Sequence, residues 1–310
     1  MERGHEIKIL DHGYVKLIDY MGSDEAIVEA ARMSTGRGFV SWEAYRRCKR
    51  CDILKGESLI DSDIGYCAGF GVDVTHDWQE FPRGDLGLLE TMYKNKHSTP
   101  FEFGTLHIEV QAPLMVFREW HRHRTWGYSE FSARYSQMPD LHYVPDESRV
   151  QLQSKSNKQG SSHEVHDDAA RFLNDITKQQ SDVYRSYDAW VGQGVAKEVA
   201  RLNTPVSRYS KMRGIVNLRN ALAFLLLRKA PAAQFEIRQY ADAVGEMVKA
   251  IWPRTYDLFV EHDLNGAHLS RSEITLLRKV MKIGEFAHRG YVLTDDESKL
   301  MGAIEKKLGA

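Results

Sequence analysis

The residues best equipped for chemistry crowd into one stretch of the chain. Arg118, His121, Arg122, His123 and Arg124 stand within about two helical turns of one another, and so many basic groups close together repel unless an anion compensates them. A basic run by itself reads as a solvated face. Here the run continues into Ser129, Glu130, Ser132, Arg134 and Tyr135, adding hydroxyls, a carboxylate and another guanidinium. That mixture suits a phosphorylated ligand, because guanidinium groups form charge-assisted and often bidentate bonds with phosphate.

Several elements must hold this segment in place. Leu106, Ile108 and Val110 alternate with His107, Glu109 and Gln111, which predicts a half-buried strand over 105–111. Pro113 can then open a helix running through LMVFREWHRHR. Upstream, EIKIL and YVKLIDY flank DHG as a hairpin whose turn uses the glycine. Ser23 caps a helix that runs to about Met33, and another helix is expected near 85–94. Residues 36–83 read as an irregular insertion and 150–165 as a polar surface loop. Beyond them the pattern predicts helices at roughly 167–192, 195–203, 212–228 and 232–262. Ser270 and Glu273 then have capping-box spacing before a further helix.

Composition narrows the possibilities. Forty-two basic residues nearly balance forty-three acidic ones, so no global field recruits a nucleic acid or a membrane surface. The longest apolar run, 221–227, is far too short to span a bilayer, and the N-terminal stretch lacks the apolar core of a signal peptide, which points to the cytoplasm. Cys48, Cys51 and Cys67 are an odd, clustered set that argues against a disulfide framework. With His76 they could ligate zinc, which leaves a zinc-bearing binding module as an alternative, although the spacing is loose. The primary reading assigns no metal.

Arg122-His-Arg-Thr-Trp-Gly-Tyr-Ser-Glu130-Phe-Ser132-Ala-Arg134-Tyr135 resembles the RHRxxSxNExSxRY motif of the flavin-dependent thymidylate synthases, matching seven of its nine fixed positions. Gly127 replaces the first serine and Ser129 the asparagine. His97-Ser-Thr-Pro-Phe-Glu102, Ala31-Arg-Met-Ser34, Arg201 ahead of Pro205, Asn217-Leu-Arg219 and Ala233-Gln-Phe-Glu-Ile237 echo other segments of that family in order. The resemblance covers roughly 8–262, less much of 36–83 and 150–165. It implies a catalytic domain over 1–262 with a helical extension over 263–310, and an α+β fold with a twisted mixed or antiparallel sheet flanked by long helices, assembled as a homotetramer.

It also implies an activity: reductive methylation of carbon 5 of a uracil nucleotide, dUMP to dTMP, using FAD with methylenetetrahydrofolate and NADPH. No GxGxxG follows a strand, so a Rossmann site is not expected. On this resemblance the flavin contacts are Ser34, His97, Thr99, Arg122, His123, Arg124, Ser129, Glu130, Asn217 and Arg219. The nucleotide would meet Glu119, Arg122, Glu130, Ser132, Arg134, Arg201 and Arg228, the phosphate being held by Ser132 and Arg134 of one subunit and Arg201 of another. Arg228 is the catalytic candidate, stabilising negative charge as carbon 5 becomes nucleophilic. Asn217 and Arg228 lie three helical turns apart, on one face of a helix. No cysteine falls in the motif, so a thiol nucleophile is not expected. Three departures, Ala223, Ala232 and Phe103, fall where polar residues are common. A fourth, Glu119 in place of a glutamine, could accept from a sugar hydroxyl, which keeps UMP as an alternative acceptor.

Overall fold

The computed structural model describes residues 1–48, 54–56, 64–66, 73–75, 78–155, 158–285, 294–295, 298, 301–302 and 304. Its strands are β1 (Glu6–Ile9), β2 (Gly13–Met21), β3 (Tyr45–Cys48), β4 (Leu54–Gly56), β5 (Ile64–Tyr66), β6 (Asp73–Thr75), β7 (Trp78–Phe81), β8 (Thr105–Pro113), β9 (Gly127–Glu130), β10 (Gln151–Gln153), β11 (Ser161–Val165) and β12 (Tyr209–Asn217). Its α-helices are α1 (Asp24–Arg32), α2 (Leu86–Lys94), α3 (Leu114–Trp120), α4 (Ala169–Gly192), α5 (Lys197–Ala200), α6 (Leu218–Arg228), α7 (Phe235–Ile251), α8 (Pro253–Phe259) and α9 (Arg271–Glu285).

The main sheet is antiparallel throughout, in the order β1-β2-β8-β12-β9. The expected alternation in β8 is present: Leu106, Ile108, Val110 and Ala112 are fully buried, while His107, Glu109 and Gln111 are half-buried on the other face. α3, α6 and α7 pack on the apolar face. Trp120 lies at the centre of that layer, stacked on Phe224 at 4.7 Å and edge-on to Trp126 at 5.7 Å. Trp120, Trp126 and Phe224 are all buried, so these rings act as core, each contributing about 1.5–3 kcal/mol by removal from water.

Strand β12 corrects the reading of a helix over 212–228. Ser210, Met212, Gly214 and Val216 point inward and Lys211, Arg213 and Ile215 outward, a period of two that the helix-favouring Met, Arg and Lys disguised. The helix starts only at Leu218, where the Asn217 side chain accepts from Asn220 N at 3.0 Å as an N-cap. The expected helix over 195–203 shrinks to the single turn of α5 and a 3₁₀ turn at Arg201–Asn203. Within the segment read as a polar loop, Gln151–Gln153 and Ser161–Val165 pair as the antiparallel strands β10 and β11, and the 36–83 segment carries short strands, β3 to β7. Its start is anchored by Asp85, which is wholly buried and takes Arg32 at 2.5 Å, Tyr45 at 2.9 Å and Val40 N at 2.7 Å.

The N-terminal hairpin forms as expected, but its glycine serves another purpose. Leu10, not Gly13, has the left-handed backbone, at φ 56°. Gly13 is needed because a Cβ there would overlap the Tyr240 hydroxyl, which donates to Gln111 O at 2.8 Å. Ser23 caps α1 by accepting from Ala26 N at 3.3 Å. The continuous helix expected over 232–262 is interrupted after Ile251, where Trp252 leaves helical backbone and Pro253 begins α8.

The chain divides into two units, Met1–Tyr256 and Asp257–Ala310. In the second, the capping box is present: Ser270 N donates to Glu273 Oε2 at 2.6 Å and Glu273 N to Ser270 Oγ at 3.3 Å. Among the described residues no helix is long and apolar enough to cross a membrane.

Candidate active site

Helix α3 leaves the end of β8 through Pro113 and stops at Trp120, four residues short of the sequence expectation. Burial of Val116, Phe117 and Trp120 fixes its inner face, and burial of Trp126 then requires the chain to turn. Successive turn bonds carry it round, His123 N to Trp120 O at 2.9 Å and Arg122 N to Glu119 O at 3.3 Å. The Tyr128 hydroxyl closes the turn, its single proton shared between Trp120 O and His123 O at 3.0 and 2.9 Å. Arg122 and Arg124 therefore project from a turn, exposed, and neither forms an ion pair with a described residue. Two guanidinium groups presented this way suit an anionic ligand such as a pyrophosphate.

Arg228, at the C-terminal end of α6, meets this turn from more than a hundred residues away. Its Nε donates to His123 Nε2 at 3.0 Å, its Nη1 to Glu119 Oε2 at 3.0 Å and its Nη2 to Glu119 O at 2.9 Å. A guanidinium has five N–H donors, so two remain for a ligand. His123 must accept at Nε2 and carries its proton on Nδ1. Burial, aided by Arg228, pushes its pKa down to about 4, so it is neutral at physiological pH. Burial raises the Glu119 carboxyl above the ordinary carboxylate range, with Arg228 opposing and Glu236 reinforcing the shift. Arg228, rather than Arg118 or Arg122, compensates Glu119.

A second group gathers at the Tyr209 end of β12. Glu130, on the edge strand β9, accepts from Ser210 Oγ at 2.9 Å. Arg134 Nε pairs with Glu198 of α5 at 3.1 Å, and Ser132 Oγ accepts from Arg134 N at 3.3 Å. Arg201 follows α5 directly, half-buried in its 3₁₀ turn. Sequence reasoning missed Arg208 here, a buried arginine ahead of β12 whose residue type alone carries no sign of burial.

A third group occupies the opposite end of β12. Asn217 caps α6, Arg219 donates to Glu102 at 2.5 Å, and Thr99 opens the 3₁₀ turn Thr99–Glu102. His97, Thr99 and Ser34 are exposed. Asn217 and Arg228 do not sit together: they bracket α6, whose length is about 16 Å. Phe131 N bonds Lys211 O, so the Ser132–Arg134 segment lies about 20 Å along β12 from Asn217, counting six residue steps of about 3.3 Å. Ser129, opposite Arg213, lies between the two ends. The sequence-derived set is thus split along the sheet.

Cys48 is buried, while Cys51, Cys67 and His76 of the zinc alternative lie outside the described residues. Among the described residues no cluster of three or more His, Cys, Asp or Glu side chains could hold a metal ion.

Comparison with known proteins matches residues 16–254 to the family model described as thymidylate synthase complementing protein. The chain belongs to the flavin-dependent thymidylate synthase family. It is 34% identical to the flavin-dependent thymidylate synthase of Anaplasma marginale over 89% of this chain and 82% of that protein. It is 35% identical to that of Thermus thermophilus, over 100% of this chain and 98% of the relative. Among solved structures it is similar to a UMP/dUMP methylase, PolB, from Streptomyces cacaoi bound with 5-Br dUMP. The TM-score is 0.63 and the identity 26%, covering 83% of this chain and 99% of that one. The same methylase bound with 5-Br UMP matches equally well, with 98% of its chain covered. The α+β antiparallel fold of this chain is the fold of that family.

Proposed function

We propose that the chain catalyses flavin-dependent methylation of carbon 5 of dUMP, giving dTMP, with methylenetetrahydrofolate and NADPH as co-substrates, in the cytoplasm. The observation that carries this reading is the contact of Arg228 with His123 and Glu119, which brings the candidate catalytic guanidinium onto the family's signature turn. FAD, when bound, supplies the electrons that reduce the transferred one-carbon unit to methyl. The exposed Arg122 and Arg124 fit its pyrophosphate, with Ser34, His97, Thr99, Ser129, Glu130, Asn217 and Arg219 as further contacts.

The three bonds on Arg228 fix its plane, and its two remaining donors face developing negative charge on the pyrimidine. A preorganised donor of this kind contributes about 2.7–4 kcal/mol to the transition state. Neutral His123 orients Arg228 without adding a competing charge. Ser132, Arg134 and Arg201 hold the phosphate. The Asn217–Arg219 group and the phosphate group sit at opposite ends of β12, and on the family resemblance the complete site is shared between chains of a homotetramer.

A second acceptor, UMP, is favoured by one observation: Glu119 offers Oε1, which makes no hydrogen bond to a described residue, beside Arg228. The ligands of the Streptomyces methylase structures fit both acceptors. The test is the visible spectrum of the purified protein, followed by methyl transfer to dUMP and UMP with the folate and NADPH supplied. A flavin spectrum with transfer to dUMP is expected. A protein that binds no flavin, or a flavoprotein that methylates neither nucleotide, overturns the reading.

A further inference from the structure

Arg208 is 5% exposed, yet it has almost no partners. Its Nη1 makes one long bond to Tyr209 O at 3.4 Å, and its Nε is buried without any hydrogen bond. Nη2 has no protein partner among the described residues and is the guanidinium nitrogen left in contact with solvent. A guanidinium removed from water without an ion pair is strongly destabilising, and chains retain such a group when something else neutralises it. Its backbone is fixed on both sides: Leu114 N bonds Arg208 O at 2.9 Å, and Arg208 N bonds Pro205 O at 3.1 Å. The side chain is therefore held in an unfavourable place by a rigid frame.

The surrounding charges indicate what is missing. Burial lowers the Arg208 pKa; nearby Glu130 opposes that shift and nearby Arg201 adds to it. Glu130 is engaged by Ser210, Glu198 by Arg134, and Asp140 by His142, whose backbone bridges Arg208. Among the described residues no carboxylate forms an ion pair with Arg208, and the neighbouring Arg201 adds like charge. A buried guanidinium so placed calls for an anion.

We propose that Arg208 is a third phosphate-binding arginine of the nucleotide site, reaching with Nη2 the phosphate that Arg134 and Arg201 hold. This rests on the uracil-nucleotide reading above. It adds a residue whose Nη2 makes no hydrogen bond to a described residue, and it accounts for a buried guanidinium that no carboxylate among the described residues pairs with.

The test uses the full flavin-loaded chain and the variants Arg208→Met and Arg208→Lys, in phosphate-free buffer. Binding of inorganic phosphate, dUMP and deoxyuridine is measured by calorimetry, and melting is followed with and without ligand. Arg208→Met is expected to melt no lower than wild type when unliganded, since a desolvated charge has been removed. Its affinity for dUMP should fall at least tenfold and that for deoxyuridine stay unchanged, with Arg208→Lys between the two. A purely structural Arg208 would instead lower the melting temperature and weaken dUMP and deoxyuridine in equal proportion, which overturns the proposal. Undiminished binding of dUMP and phosphate by Arg208→Met overturns it as well. Wild type that binds phosphate through Arg208 but methylates no nucleotide would sink the functional reading and leave this site standing. Wild type that binds neither phosphate nor dUMP would sink both.

Discussion

Glu119→Gln separates the two acceptors, because dUMP and UMP differ only in the 2′-hydroxyl. In the structure Glu119 gives Oε2 to Arg228 at 3.0 Å and leaves Oε1 available. A charged acceptor on a hydroxyl is worth about 1.5–3 kcal/mol, against about 0.5–1.5 kcal/mol for a neutral one. Glutamine preserves the length of the side chain and an oxygen for Arg228 but turns an uncharged NH2 donor towards the hydroxyl, so a charge-assisted bond is replaced by a neutral one in which the hydroxyl accepts, a loss of about 1–1.5 kcal/mol. At 1.4 kcal/mol per factor of ten this is about five- to tenfold. Any change in how Arg228 meets the pyrimidine affects both substrates alike and cancels in their ratio. The assay is kcat/KM for methyl transfer to each nucleotide at equal folate and NADPH. The ratio of UMP to dUMP should fall about five- to tenfold in the variant. A flavin-loaded, folded variant whose ratio stays within twofold of wild type refutes the role given to Glu119.

Arg228→Ala should lose more in turnover than in dUMP affinity, and Arg201→Ala the reverse, since a donor aimed at developing charge acts in the transition state whereas a phosphate clamp acts in both states. Steady-state kinetics with direct binding measurements decide it; equal losses of affinity with intact turnover would show that Arg228 is misassigned. Gly13→Ala should lower stability by about 2–4 kcal/mol in denaturant titrations, combining overpacking against Tyr240 with loss of its bond to Gln111, and Tyr240→Phe should relieve part of that cost. His123 stays neutral in the folded chain down to about pH 4, whereas unfolded histidine takes its proton near pH 6.5. The unfolded state binds more protons in that window, so stability falls as pH drops from 6.5 towards 4. Melting temperatures at pH 7 and pH 5 should therefore drop further in wild type than in His123→Gln.

The sequence by itself determined the elements whose signals are local. The alternation of residues 105–111 could satisfy only a strand with one buried face, Ser23 and the Ser270–Glu273 pair could satisfy only helix starts, and the Arg122–Tyr135 spacing carried the family and its chemistry. Tertiary structure decided the rest, because its causes lie far away in the chain. Residues 209–217 contain good helix formers and become a strand because β8 and β9 flank them with open hydrogen-bonding edges, which pair with their backbone on both sides. Helix α3 ends at Trp120 because Trp126 must also enter the core, and that turn is what frees Arg122 and Arg124. The union of Arg228 with His123 and Glu119 depends on how α6 packs, and no periodicity records a contact over such a separation. Arg208 is the plainest case: its residue type predicts exposure, and only the folding of the 201–208 segment close to Glu130 of β9 and Tyr187 of α4 encloses it, because burial belongs to the whole packed arrangement and not to the residue.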